Sequence, residues 1–141
     1  MTSYGPTLLD KWGTAALVTI KRDGRPQLSN VTYVHDPDRD LVRISLTESR
    51  AKTRNLRRDP RASLYLTSAD LRAYQVVEGT VELTPVAAAP DDATVEELID
   101  VYRSARGEHP DWAEYRAVMV ADHRLVARFT IERSYGLDMR G

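Results

Sequence analysis

Six residues, Lys21-Arg22-Asp23-Gly24-Arg25-Pro26, separate two runs that read as strands, Ala15 to Ile20 and Gln27 to Val34. A gap that short leaves no room for a crossover, so the runs must fold back on each other antiparallel. The Asp-Gly pair inside it is a strong local hairpin signal. The next connection, His35-Asp36-Pro37-Asp38-Arg39-Asp40, is again turn chemistry and leads directly into Leu41-Val42-Arg43-Ile44-Ser45-Leu46. Three strands joined by short turns predict an antiparallel meander.

The rest of the chain keeps to this pattern. Asp59-Pro60 stops a helix, and Arg61 to Thr67 returns as a strand. Tyr74 to Thr84 is a long strand interrupted at Gly79, where a bulge, a barrel corner or the close approach of another backbone is expected. Arg124 to Arg133 is the final strand. Helices are predicted over Pro6 to Trp12 and from the capping box Thr94-Val95-Glu96-Glu97, with Val95, Leu98, Ile99, Tyr102 and Ala105 on its apolar side. A further helix over Pro110 to Val120 carries Trp112, Tyr115 and Met119 at helical spacing. Six strands, few helices and no regular βαβ alternation predict a mainly β fold: a small antiparallel barrel with helices packed outside. At 141 residues the chain fits one domain, 1–141, with one proper core.

Composition narrows the function. A formal net charge of −1 provides no overall cationic field for nucleic-acid binding, so any anion site must be local. The absence of cysteine removes disulfide scaffolds, thiolate metal sites and cysteine nucleophiles. No run approaches a membrane-spanning length, and Met1 to Lys11 lacks the apolar core of a leader, so a cytoplasmic protein is expected.

The local anion site has one clear candidate. Arg50-Ala51-Lys52-Thr53-Arg54-Asn55-Leu56-Arg57-Arg58 places five cations just beyond the strand ending at Leu46. With Thr47 or Ser49 as its cap, this stretch reads as a helix start, where free N–H groups and the positive dipole end favour a phosphate or carboxylate. Of the twenty basic residues only Lys11, Lys21 and Lys52 are lysines, and Lys52 stands inside the arginine cluster as a compact point charge. Gln27, Ser29, Asn30 and Thr32 on one strand, with Ser45 and Thr47 ending another, offer polar walls for a planar heterocycle with an anionic tail.

Other chemistries lack handles. Asp36 to Asp40 would need Gly and Glu where the chain has Leu41 and Thr47 to form an EF-hand, so it is read as a turn and no metal is expected. His35, His109 and His123 share no ligand spacing. Serine elbows, phosphate loops and dinucleotide glycine fingerprints are missing. The basic helix has no interleaved aromatics for nucleic acid.

Taken in order, Lys21 to Val31, Arg50 to Ala62, Glu78-Gly79-Thr80 and Ala87-Ala88-Ala89-Pro90-Asp91-Asp92 resemble the pyridoxamine-phosphate-oxidase-like split-barrel flavoproteins. Within that superfamily the chain most resembles the mycobacterial-type branch that binds the deazaflavin coenzyme F420. The resemblance implies a six-stranded split barrel forming a homodimer. It also implies hydride transfer from the reduced deazaflavin to an electron-poor, conjugated or unsaturated small molecule. Carried over by position, Arg50, Lys52, Thr53 and Ser45 hold the anionic tail, with Thr47 in the same set. Pro26, Gln27 and Asn30 line the ring, and Tyr74 reaches in from the partner subunit as a candidate proton donor. Thr67 to Ala73 departs from the aromatic-bearing pattern, with Arg72 where a tryptophan can stand. An FMN-dependent oxidase or reductase of the same fold, and a non-catalytic carrier of the coenzyme or of haem, are the alternatives. Hydride transfer needs an oriented, dry stack rather than a protein nucleophile, in keeping with the missing triad and metal motifs.

Overall fold

In the computed structural model, which describes residues 8–10 and 13–140, the chain forms seven strands and three helices. β1 (Thr14–Ile20) and β2 (Pro26–Thr32) make the expected hairpin, in register from Ile20 opposite Pro26 to Thr14 opposite Thr32. Gly24 closes its turn with φ +88°, a backbone region that favours glycine, and its N–H bonds Lys21 O at 2.9 Å.

The expected single strand over 27–34 is instead two. β2 ends at Thr32 and β3 (Val34–Asp36) pairs with β4 (Leu41–Thr47), while Tyr33 stands between them. Its ring is buried, its hydroxyl donates to Leu9 O at 2.6 Å and its N–H to Gly13 O at 2.9 Å. Those contacts pull the chain out of the first hairpin and across to another strand. The three-strand meander is thereby corrected, and the strand count rises from six to seven.

The sheet order is β2-β1-β5-β6-β7-β4-β3, antiparallel at every pairing, with β5 (Arg61–Thr67), β6 (Ala73–Leu83) and β7 (Arg124–Asp138). The two edge strands are separated by one residue of chain, so the sheet has to curl until its edges meet at Tyr33. This is an antiparallel half-open barrel, the split-barrel architecture expected. β7 runs five residues beyond the expected Arg133 because β6 offers it partners down to Ala73 opposite Asp138. At the corner, the register shifts between Glu78 and Gly79, and a Cβ on Gly79 would lie 1.9 Å from Thr130 O. The interrupting glycine thus marks both a bulge and a backbone contact.

Alternate residues of the strands fill the barrel: Leu17, Val42, Ile44, Leu46, Leu64, Val77, Leu125 and Phe129 are essentially inaccessible. The helix expected over 6–12 lies outside the described residues except for Leu8, Leu9 and Asp10. Leu8 and Leu9 pack into the barrel, and both their N–H groups reach Gln75 Oε1.

α1 (Ala51–Arg58) bridges β4 and β5. α2 (Ala93–Arg106) and α3 (Trp112–Ala121) form a second apolar cluster outside the sheet, where Val95, Leu98, Ile99 and Met119 meet Val34 and Val126. Arg128 fixes α2 to the sheet by gripping Glu97, and it also bonds Glu82 at 2.7 Å. The cap of α2 is Asp92, whose carboxylate accepts from Val95 N, rather than Thr94, whose hydroxyl donates to Pro85 O. Among the described residues no helix is long and apolar enough to cross a membrane.

Candidate functional site

The five cations of the basic stretch divide into two groups. Arg54 donates to Ser49 O at 2.7 Å, Arg57 pairs with Glu48 at 3.8 Å, and Arg58 donates to Ile20 O and Asn55 Oδ1, both at 3.0 Å. Asn55 is buried and donates to Thr19 Oγ1, which in turn donates to Gln27 Oε1 at 3.0 Å. This relay of polar groups anchors α1 to β1 and β2. Arg50 and Lys52 belong to the other group and have no carboxylate within ion-pair distance among the described residues.

Arg50 is the N-cap of α1, and no side chain caps that helix. Thr47 and Ser49, expected as caps, do not act as such. Thr47 contributes its carbonyl, which accepts from Arg50 N at 3.2 Å and from Thr53 Oγ1 at 2.8 Å. Thr53 is fully buried and works as a brace for the turn rather than a wall of the cleft.

Arg50 and Lys52 open onto a cleft of about 520 Å3, within the range of small-molecule sites. β2 and β4 contribute Asn30, Thr32, Ser45 and Thr47; α2 and α3 contribute Tyr102, Arg106, Tyr115 and Met119; Arg124 enters from the start of β7. Among the described residues no acidic side chain lines it. Lys52 Nζ lies 3.3 Å from Ser29 Oγ, and its pKa is lowered by burial and by the nearby charges of Arg50 and Arg124. Cations crowded together without a counter-charge are a site prepared for an anion. The Tyr115 hydroxyl donates to Leu98 O at 3.0 Å, and burial raises its pKa, so it stays neutral and tied down.

Of the residues expected at the site, the structure brings together Asn30, Ser45, Thr47, Arg50 and Lys52. Gln27 is engaged by Thr19, Pro26 is exposed at the hairpin, and Thr53 lies beneath the cleft. Tyr74 stacks on Tyr65 with ring centroids 6.2 Å apart, on the outer face of the sheet. Arg72 donates to Met139 O at 2.6 Å and pins its loop to the end of the chain. Sequence reasoning missed Arg124 and Arg106. It read Tyr102, Tyr115 and Met119 as helix core; they serve the second cluster and line the cleft as well.

The histidines have separate surroundings. His35 bonds Asp10 at 2.6 Å, His109 packs among Tyr102, Trp112 and Tyr115, and His123 sits in a turn with φ +53°. Among the described residues no three His, Asp or Glu side chains are grouped to hold a metal ion.

Residues 7–137 match the family model described as pyridoxamine 5'-phosphate oxidase. The chain belongs to that family. Solved structures share the fold. A conserved hypothetical protein from Mycobacterium tuberculosis is 24% identical, with a TM-score of 0.71 over 94% of this chain and 81% of the other. A protein named F420 reductase is also 24% identical, with a TM-score of 0.59 over 86% and 87% of the two chains. An FMN-binding, pyridoxamine 5'-phosphate oxidase-related protein from Nostoc punctiforme is 14% identical, with a TM-score of 0.63 over 92% and 76%. At these identities the likeness establishes the shared fold, and the residues of the cleft have to speak for the ligand.

Proposed function

We propose that this chain is a single-domain, cytoplasmic, coenzyme F420-dependent reductase that passes a hydride to an electron-poor, conjugated or unsaturated small molecule. The observation that carries this reading is the cleft whose cations, Arg50, Lys52, Arg106 and Arg124, meet no carboxylate among the described residues. Such a cluster fits the anionic tail of a cofactor. The polar residues of β2 and β4 fit the rim of a flat ring. A protein named F420 reductase on the same fold adds support.

When bound, the reduced deazaflavin supplies the hydride. The chain's own contribution is to hold and orient: Arg50 and Lys52 fix the tail, Asn30 and Thr32 set the ring against the strand, and Tyr102 and Met119 exclude water from the opposite side. Leu28, Tyr65, Tyr135 and Leu137 are exposed apolar residues on the outer face of the sheet. A second copy covering that face forms the proposed homodimer. Tyr74, on the same face, is the residue we assign to the cleft of that other copy as proton donor. In that arrangement the loop carrying Arg72 would meet the substrate from the second copy.

A second reading, an FMN-dependent enzyme or a carrier of such a cofactor, draws on the same feature, since the same cations also suit a phosphomonoester. Parallel fluorescence titrations with oxidised F420 and FMN separate the two. Micromolar or tighter binding of F420 with much weaker FMN binding is expected, followed by oxidation of reduced F420 on adding a conjugated substrate. The reverse preference moves the protein to FMN, binding without turnover makes it a carrier, and binding of neither removes the function.

A further inference from the structure

Arg124 begins β7 directly opposite Thr47 of β4, so the strand pairing delivers its side chain to the start of α1. His123, in a left-handed turn with φ +53°, passes its carbonyl to Glu48 N at 3.1 Å, which fastens the start of β7 to the segment before α1. The guanidinium is held loosely. One Nη donates to Ser45 Oγ at 3.4 Å, the long end of hydrogen bonding, and its Nε is shut off from solvent with no partner among the described residues. A buried, charged donor without an acceptor is costly, and native proteins keep few of them. Its charge acts on both Lys52 and Tyr115, which places it between the basic and aromatic sides of the cleft.

We infer that Arg124 is the third arm of the anion seat, completing with Arg50 and Lys52 a site for a tetrahedral phosphoryl group rather than a planar carboxylate. The inference rests on the anion-binding half of the proposed function and is independent of which ring the anion carries. Three donors converge from two elements, Arg50 and Lys52 from the start of α1 and Arg124 from the start of β7, with Ser29 and Ser45 holding the latter two, and they match the several peripheral oxygens of a phosphoryl group. A carboxylate has only two oxygens to offer them.

The test is calorimetric titration of the full chain with pyrophosphate, inorganic phosphate and acetate. Pyrophosphate and phosphate are expected to bind at millimolar or lower concentration and acetate far more weakly. Acetate binding as well as phosphate, or no pyrophosphate binding, overturns the inference. Arg124→Gln is expected to weaken pyrophosphate binding about tenfold, and Arg124→Lys about threefold, because a charge-assisted fork is lost or reduced to a point charge. Arg57→Gln removes the same charge from a residue already paired with Glu48 and is expected to change binding less than about twofold. Equal losses in Arg124→Gln and Arg57→Gln would reduce Arg124 to a contributor to the general field and overturn the inference. If the glutamine variant does not fold, unchanged binding in Arg124→Lys overturns it. NMR titration of the Lys52 amine adds a readout: its pKa is expected to rise in Arg124→Gln, and no movement contradicts the placement. Arg124-dependent phosphate binding in a protein that ignores F420 leaves this inference standing and removes only the cofactor assignment.

Discussion

The helices α1 and α2 begin in opposite ways. At α2, Asp92 accepts from Val95 N, and its other carboxylate oxygen takes Ala88 N and Ala89 N, so the loop and the helix start are closed upon one acid. Burial works against the Asp92 charge, yet those backbone bonds prevail and hold its pKa below the usual carboxylate range. At α1 no side chain caps the start, no acid stands in the first turn, and Arg50, Lys52 and Arg124 gather around it. α3 follows the α2 pattern, with Asp111 accepting from Glu114 N. A helix start completed from within serves the fold. One left open and surrounded by charge of a single sign has hydrogen-bonding groups and charge to offer an anion from outside.

The strongest challenge to this contrast is Lys52→Ala. Cofactor affinity is expected to fall by about 1–3 kcal/mol, the scale of a lost charge-assisted hydrogen bond, while the melting temperature holds or rises as repulsion among the cations is relieved. Unchanged affinity with a lower melting temperature would make α1 an ordinary structural helix. Asp92→Ala should do the opposite, costing about 0.5–2 kcal/mol of stability in a denaturant titration with cofactor affinity untouched.

Acidity separates the two starts further. Asp92 has a lowered pKa, so its stabilisation is present above the ordinary carboxylate value and is lost as pH falls through the folded one; Asp92→Ala should erase that part of the acid transition. Lys52 also has a lowered pKa, but it is a base, so the unliganded fold is penalised while Lys52 is charged and relieved as pH rises through its folded value. Anion binding favours the charged form. Affinity should therefore decline with rising pH, beginning below the ordinary lysine range, and calorimetry in buffers of different ionisation enthalpy should register proton uptake on binding. A flat profile would place the anion elsewhere. The smallest effect is expected for Arg57→Gln, whose exposed pair with Glu48 contributes less than about 1 kcal/mol to stability.

Local chemistry was readable where a residue acts through its neighbours. Asp59-Pro60 ends α1, β5 spans Arg61–Thr67 as expected, and Gly79 marks the bulge. The expectation failed where a distant contact decides. Tyr33 splits a strand because its hydroxyl and N–H find Leu9 and Gly13, partners that no periodicity reveals. The cap of α2 moved from Thr94 to Asp92 because the Thr94 hydroxyl is drawn off by Pro85 O. Arg50 and Lys52 were legible as a basic helix start, whereas Arg124 looks like any strand-initiating arginine until β4 and β7 are paired. Thr53 matched the expected set by sequence and turned out to brace the site from beneath.

The central claim, that this cleft seats a deazaflavin by its anionic tail, is tested most directly by a crystal structure of the protein with oxidised F420. The account predicts the phosphoryl group within hydrogen-bond distance of Arg50 and Lys52, with the ring along Asn30 and Thr32. A ring seated elsewhere on the molecule, or a tail pointing away from the three cations, would contradict it.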